Sequence, residues 1–152
     1  MTKLQSPGLQ NELQGYCNRL TRLYDQPTII LSGSTAVGED MPWSDVDLIV
    51  IADFKKSFLE RFEELAPPLD SRFNFEVIGY TPEEFIYMLD RFDIKAIEAV
   101  EEGIPIICSP LFFNELKRRF AQLKSRGLTK TNCTYRLGDR PTHFQNCSEQ
   151  VI

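Results

Sequence analysis

Two groups of residues in this chain have types and spacing suited to chemistry on a phosphate. The first is the small-residue turn Gly33-Ser34-Thr35-Ala36-Val37-Gly38, and the second, beyond a ten-residue spacer counted from Ser34, is Asp45-Val46-Asp47. A turn of small residues lets backbone approach a phosphate closely. Asp45 and Asp47 open an apolar run that reads as a strand, where side chains alternate, so both carboxylates face the same side about 6–7 Å apart. That separation suits a pair of metal ions roughly 3.5–4 Å apart. A third carboxylate, Glu76, lies in the middle of another alternating segment, where an acid facing a core has no ordinary packing role. Each part alone also describes something plain: Asp-x-Asp often ends a solvated loop, and Gly-Ser often makes a simple turn.

The elements that position these residues follow from periodicity. Leu9, Leu13, Tyr16, Leu20 and Leu23 recur at helical spacing and predict a first helix over 8–24, closed by Pro27. Strands are expected at 28–32 and 46–51, before and after the turn and its loop. Phe58, Leu59, Phe62 and Leu65 predict a helix stopped by Pro67-Pro68. The segment 72–80 alternates, with Phe73, Phe75 and Val77 on one face and Asn74, Glu76 and Ile78 on the other. Thr81-Pro82-Glu83-Glu84 is a capping box starting a helix near 82. A further helix runs through Ile94, Ile97 and Val100 to Gly103, a last strand covers 104–108, and a final helix runs from Ser109-Pro110 to Gly127. Residues 128–152 show no periodicity. The expected organisation is one domain over 1–127 and a C-terminal tail over 128–152.

Composition bounds the rest. With 152 residues, 42% hydrophobic and 26% charged, the chain has the make-up of a globular domain that needs no disulfide. No apolar run approaches the roughly 18–20 residues of a membrane span, and Met1 to Pro7 lack the apolar core of a signal peptide, so a cytoplasmic protein is expected. Cys17, Cys108, Cys133 and Cys147 have no metal-site spacing, and Cys108, in the apolar run 104–108, reads as a buried free thiol. His143 is the single histidine; with Cys133 and Cys147 it falls one ligand short of a metal site. The net charge of −5 is uneven: residues 1–115 carry 9 basic and 20 acidic side chains, while 116–141 carry 8 basic residues and only Asp139. That basic segment either packs near the acidic body or binds an acidic partner. Trp43, beside the aspartates, either stacks on a base or closes the loop, and Glu39 and Asp40 read as solvated loop acids.

Taken together, Gly33-Ser34, the ten-residue spacer, Ser44-Asp45-Val46-Asp47-Leu48 and Glu76 resemble the signature of the polymerase β-like nucleotidyltransferase superfamily, specifically its minimal nucleotidyltransferases. The likeness spans about residues 28–90. It implies an α+β nucleotidyltransferase fold, a mixed β-sheet flanked by helices. It implies transfer of an NMP group, usually AMP, from ATP or another NTP to a hydroxyl acceptor. In that resemblance Asp45, Asp47 and Glu76 are catalytic and bind Mg2+, while Gly33, Ser34 and Ser44 bind the nucleotide. It also implies a partner, a small helical HEPN-type protein, to which the transferase is the antitoxin. A homo-oligomer is compatible with so short a chain, and nucleic acid fits poorly beside an acidic site. One position departs from the pattern Gly-Ser-x-Ala-Arg-Gly: Val37 stands where the arginine would present a fixed cationic fork. The alternative reading is therefore an antitoxin-like module, weak or inactive in catalysis, that binds and masks its helical partner.

Overall fold

The computed structural model describes residues 8–33, 45–131 and 135–137. A four-stranded mixed sheet forms the centre, built from β1 (Thr28–Ser32), β2 (Val46–Ile51), β3 (Phe75–Tyr80) and β4 (Ile104–Ile107) in the order β3-β2-β1-β4. β1 pairs antiparallel with β2 and β4, whereas β2 and β3 run parallel. β1 and β2 are almost fully buried, as expected of central strands written as apolar runs.

Alternation along the strands divides the core into two layers. Ile29, Leu31, Val46, Leu48, Val50 and Phe75 pack against α1 (Leu9–Leu23) through Leu9, Leu13, Tyr16, Cys17 and Leu20. Ile30, Ile49, Ile51 and Tyr80 point to the other side, under α3 (Pro82–Asp90), α4 (Ile94–Glu102) and α5 (Pro110–Ser125). The parallel connection from β2 to β3 carries the one-turn helix α2 (Arg61–Leu65), whose Leu65 closes the α1 layer. Gly79 of β3 permits this close approach, since a Cβ there would lie 2.7 Å from Leu65 Cδ1 and 2.8 Å from Phe54 Cζ.

Arg61 locks the crossover to the second layer. Its buried guanidinium binds Glu84 through two nitrogens at 2.7 and 3.1 Å, donates to the carbonyls of Lys56 and Gly79, and stacks over Phe54. Glu84 is also the third residue of α3: it accepts from the Thr81 backbone N–H and donates its own N–H to Thr81 Oγ1, the capping box expected from sequence.

Four details differ from the sequence reading. The helix expected from Phe58 begins only at Arg61, because residues 58–60 form a turn in which Ser57 N–H is taken by the Glu60 side chain. Strand β3 begins at Phe75, because Ser71 Oγ turns the preceding segment by bonding the Phe73 backbone. Cys108 is exposed, not buried: β4 is an edge strand that ends at Ile107, and among the described residues the buried thiol is Cys17. After Gly127 the chain forms a two-stranded antiparallel pair, β5 (Leu128–Lys130) and β6 (Tyr135–Leu137), whose Leu128 and Tyr135 join the second core layer. These strands are too short for a periodicity to show. Among the described residues no helix is long and apolar enough to cross a membrane.

Candidate functional site

The sheet register assembles the site. Ser32 at the end of β1 lies opposite Asp47 of β2, and Asp47 lies opposite Glu76 of β3, so one row crosses three strands. Asp47 and Glu76 share the parity of Ile49 and Ile78, which places them on the α4 side of the sheet. Asp45, two residues before Asp47, shares that parity. Gly33 follows Ser32 with φ of 75°, a left-handed conformation natural to glycine. A Cβ at this position would collide with Asp47 Oδ2 and lie 3.3 Å from its Cγ. The carboxylate of Asp47 thus occupies the space that a side chain at residue 33 would fill.

Charge is crowded here. Glu76 donates a hydrogen bond to Asp45, and Asn74 Nδ2 donates another at 2.5 Å; both hold Asp45 below the usual carboxylate range. The same contact pushes Glu76 upward, helped by the charges of Asp45 and Asp47. Burial raises Asp47, with Lys95 opposing the shift and Asp45 adding to it. Among the described residues no three acidic, histidine or cysteine side chains converge as they would around a metal ion. Asp45 and Glu76 contact one another directly through their side chains. The donor set nevertheless suits a hard divalent cation: the ligands are carboxylates, and a cation would relieve the repulsion among their charges.

A cavity of about 450 Å3 opens against β3, the edge strand of the sheet among the described residues. Ser32, Asp47, Glu76 and Lys95 give it a polar side, and Phe62, Leu65 and Pro67 an apolar one. Such a mixture can seat a ligand with one charged and one planar or apolar end.

The family model for a nucleotidyltransferase domain matches residues 17–126. The chain belongs to the nucleotidyltransferase domain family. In this nucleotidyltransferase domain the matched stretch holds Gly33, Asp45, Asp47, Glu76 and the whole central sheet. No curated protein matches the chain. Eight chains of solved structures do. One of them, the "toxin-antitoxin with AMP-PNP", is 21% identical with a TM-score of 0.49, the match covering 76% of this chain and 90% of that one.

Of the residues singled out in the sequence, Gly33, Asp45, Asp47 and Glu76 come together in this nucleotidyltransferase domain. Glu76 is exposed at the edge strand rather than enclosed. Ser34, Val37, Glu39, Asp40, Trp43, Ser44, Cys133, His143 and Cys147 lie outside the described residues. Sequence reasoning missed Lys95. Its only signal was being the one basic residue between Arg91 and Lys117, at the second position of a helix begun by Asp93.

Proposed function

We propose that this protein is a metal-dependent nucleotidyltransferase that moves an NMP group, AMP from ATP foremost, to a hydroxyl on a partner protein. The row Ser32, Asp47 and Glu76 carries this reading, because it sets two carboxylates in register at the cavity, with Asp45 hydrogen-bonded to Glu76 and Gly33 against Asp47. Asp45, Asp47 and Glu76 would hold Mg2+, which when bound neutralises charge on the reacting phosphate oxygens. Gly33, with Ser34 and Ser44, would seat the phosphates, since a glycine at the end of β1 and small hydroxyl side chains let a phosphate approach closely. In the transfer, the acceptor oxygen bonds to the α-phosphorus and the bond to the bridging oxygen breaks. Pyrophosphate leaves with that electron pair. Glu76, raised by its hydrogen bond to Asp45 and by the charges of Asp45 and Asp47, is suited to take the hydroxyl proton. The partner we propose is a small helical HEPN-type protein in the cytoplasm.

Transfer of label from α-labelled ATP to a co-purified partner tests the reading. Asp47→Asn should abolish transfer while leaving the thermal unfolding curve in place; unchanged transfer would refute it. Val37, in place of the arginine, favours a second reading, in which the chain masks its partner without turnover. That reading expects a stoichiometric complex in which the partner carries no nucleotide.

A further inference from the structure

Lys95 is a cation facing acidic residues of the sheet. It lines the cavity with Asp47, Glu76 and Ser32, and its charge acts on both carboxylates. Among the described residues its ammonium forms no salt bridge, whereas several other cations do: Arg61 with Glu84, Lys56 with Glu64, and Arg119 with Asp90 and Glu115. Lys95 also lines a second cavity of about 490 Å3, walled by Tyr87, Met88, Arg91 and Phe92, so it stands at the junction of two spaces. The start of α4 does not itself offer an anion site. Asp93 caps it, accepting from the Lys95 and Ala96 backbone N–H groups at 2.9 and 3.3 Å. What faces an anionic ligand is therefore the side-chain ammonium.

We propose that Lys95 is a substrate-binding residue that holds the triphosphate across the cavity from Asp47 and Glu76. This rests on the nucleotidyltransferase reading above. A triphosphate brought to three carboxylates needs positive charge beyond that of bound cations, and among the described residues Lys95 is the only cation lining the cavity. An ammonium with three donors on a flexible stem follows a phosphate as it changes from ester to leaving group. A merely structural role, as counter-ion to the acids, makes different demands. It predicts that removing Lys95 disturbs Asp47 and Glu76 with or without nucleotide.

Isothermal titration of the full-length wild type, Lys95→Met and Lys95→Arg with MgATP, inorganic tripolyphosphate, adenosine and Mn2+ alone separates these. Lys95→Met should weaken MgATP and tripolyphosphate by roughly 10- to 100-fold, with Lys95→Arg recovering most of the loss. Adenosine binding should stay unchanged, and Mn2+ binding should hold or tighten because a repelling charge is gone. If wild type binds MgATP and Lys95→Met binds it equally well, this proposal falls and the transferase reading stands. If the variant loses adenosine and tripolyphosphate alike, Lys95 acts on the structure and the proposal also falls. If wild type binds neither MgATP nor tripolyphosphate, both readings fall together.

Discussion

At residue 33 the absence of one carbon atom decides whether Asp47 keeps its place. Gly33→Ala adds a Cβ at a positive φ and within contact of the Asp47 carboxylate. Strain there costs about 1 kcal/mol in backbone alone, and the displaced carboxylate costs the site more. We expect Gly33→Ala to fold with a slightly lower Tm and to lose at least about 100-fold in transfer, since misplacing a reacting group by about 1 Å has that effect. Measuring Tm and initial rate on the same preparation checks it. A variant that kept its rate would show that Asp47 has room to move.

At the scale of elements, Arg61 and Glu84 join the β2–β3 crossover to α3. Removing the arginine leaves a partly buried carboxylate without its partner. With Glu84 still 43% exposed, Arg61→Met should cost about 2–3 kcal/mol, below the range for a fully buried pair. Hydrogen bonding to Arg61 holds Glu84 below the ordinary carboxylate range. A depressed carboxylate stabilises the fold above its unfolded pKa of about 4.3, and that contribution disappears as pH falls through the lower folded value. Acid unfolding followed by circular dichroism should therefore start at higher pH in Arg61→Met than in wild type. β5 and β6 make a second test. Leu128 and Tyr135 are 6% and 2% exposed, and the Tyr135 hydroxyl donates to Glu101. Large buried side chains contribute about 2–5 kcal/mol each, so ending the chain at Gly127 should lower Tm by at least about 10 °C.

The elements that sequence revealed are those whose signals repeat. Leu9 to Leu20 marked α1 at helical spacing, the buried runs 28–32 and 46–51 marked the two central strands, and Thr81 with Glu84 fixed where α3 starts. Three-residue strands such as β5 offer no period, and Phe58 and Leu59 mimic a helical stripe while lying on an exposed turn. The site divides in the same way. Asp45 and Asp47 announce themselves by strand parity, and Glu76 by being an acid in an alternating segment. Lys95 reaches the cavity only because α4 packs over the sheet, a tertiary fact with no local trace.

Across the whole molecule, three of the eight basic side chains of residues 116–141 are paired, among the described residues, with carboxylates from within. Arg118 and Arg119 both bind Glu115, Arg119 reaches Asp90, and Lys130 pairs with Glu102. Lys117 and Lys124 lie over Phe113 and Phe120. Charges already paired release few counterions on meeting a polyanion. Fluorescence anisotropy with labelled duplex DNA at physiological salt should find binding no tighter than about 10 μM.

The row from Ser32 through Asp47 to Glu76 also ties function to the order in which the chain folds. Ser32 and Asp47 meet through an antiparallel pair, but Glu76 joins them only when β3 docks parallel to β2 across the whole α2 crossover. Parallel pairing is non-local and is reached late, after loop closure has been overcome. A refolding intermediate holding only the β1–β2 pair would carry two acids and no third, and would look half-native to a spectroscopic probe while being inert. Recovery of activity should lag recovery of secondary structure in a stopped-flow refolding experiment, making the reaction a reporter of the last strand to arrive.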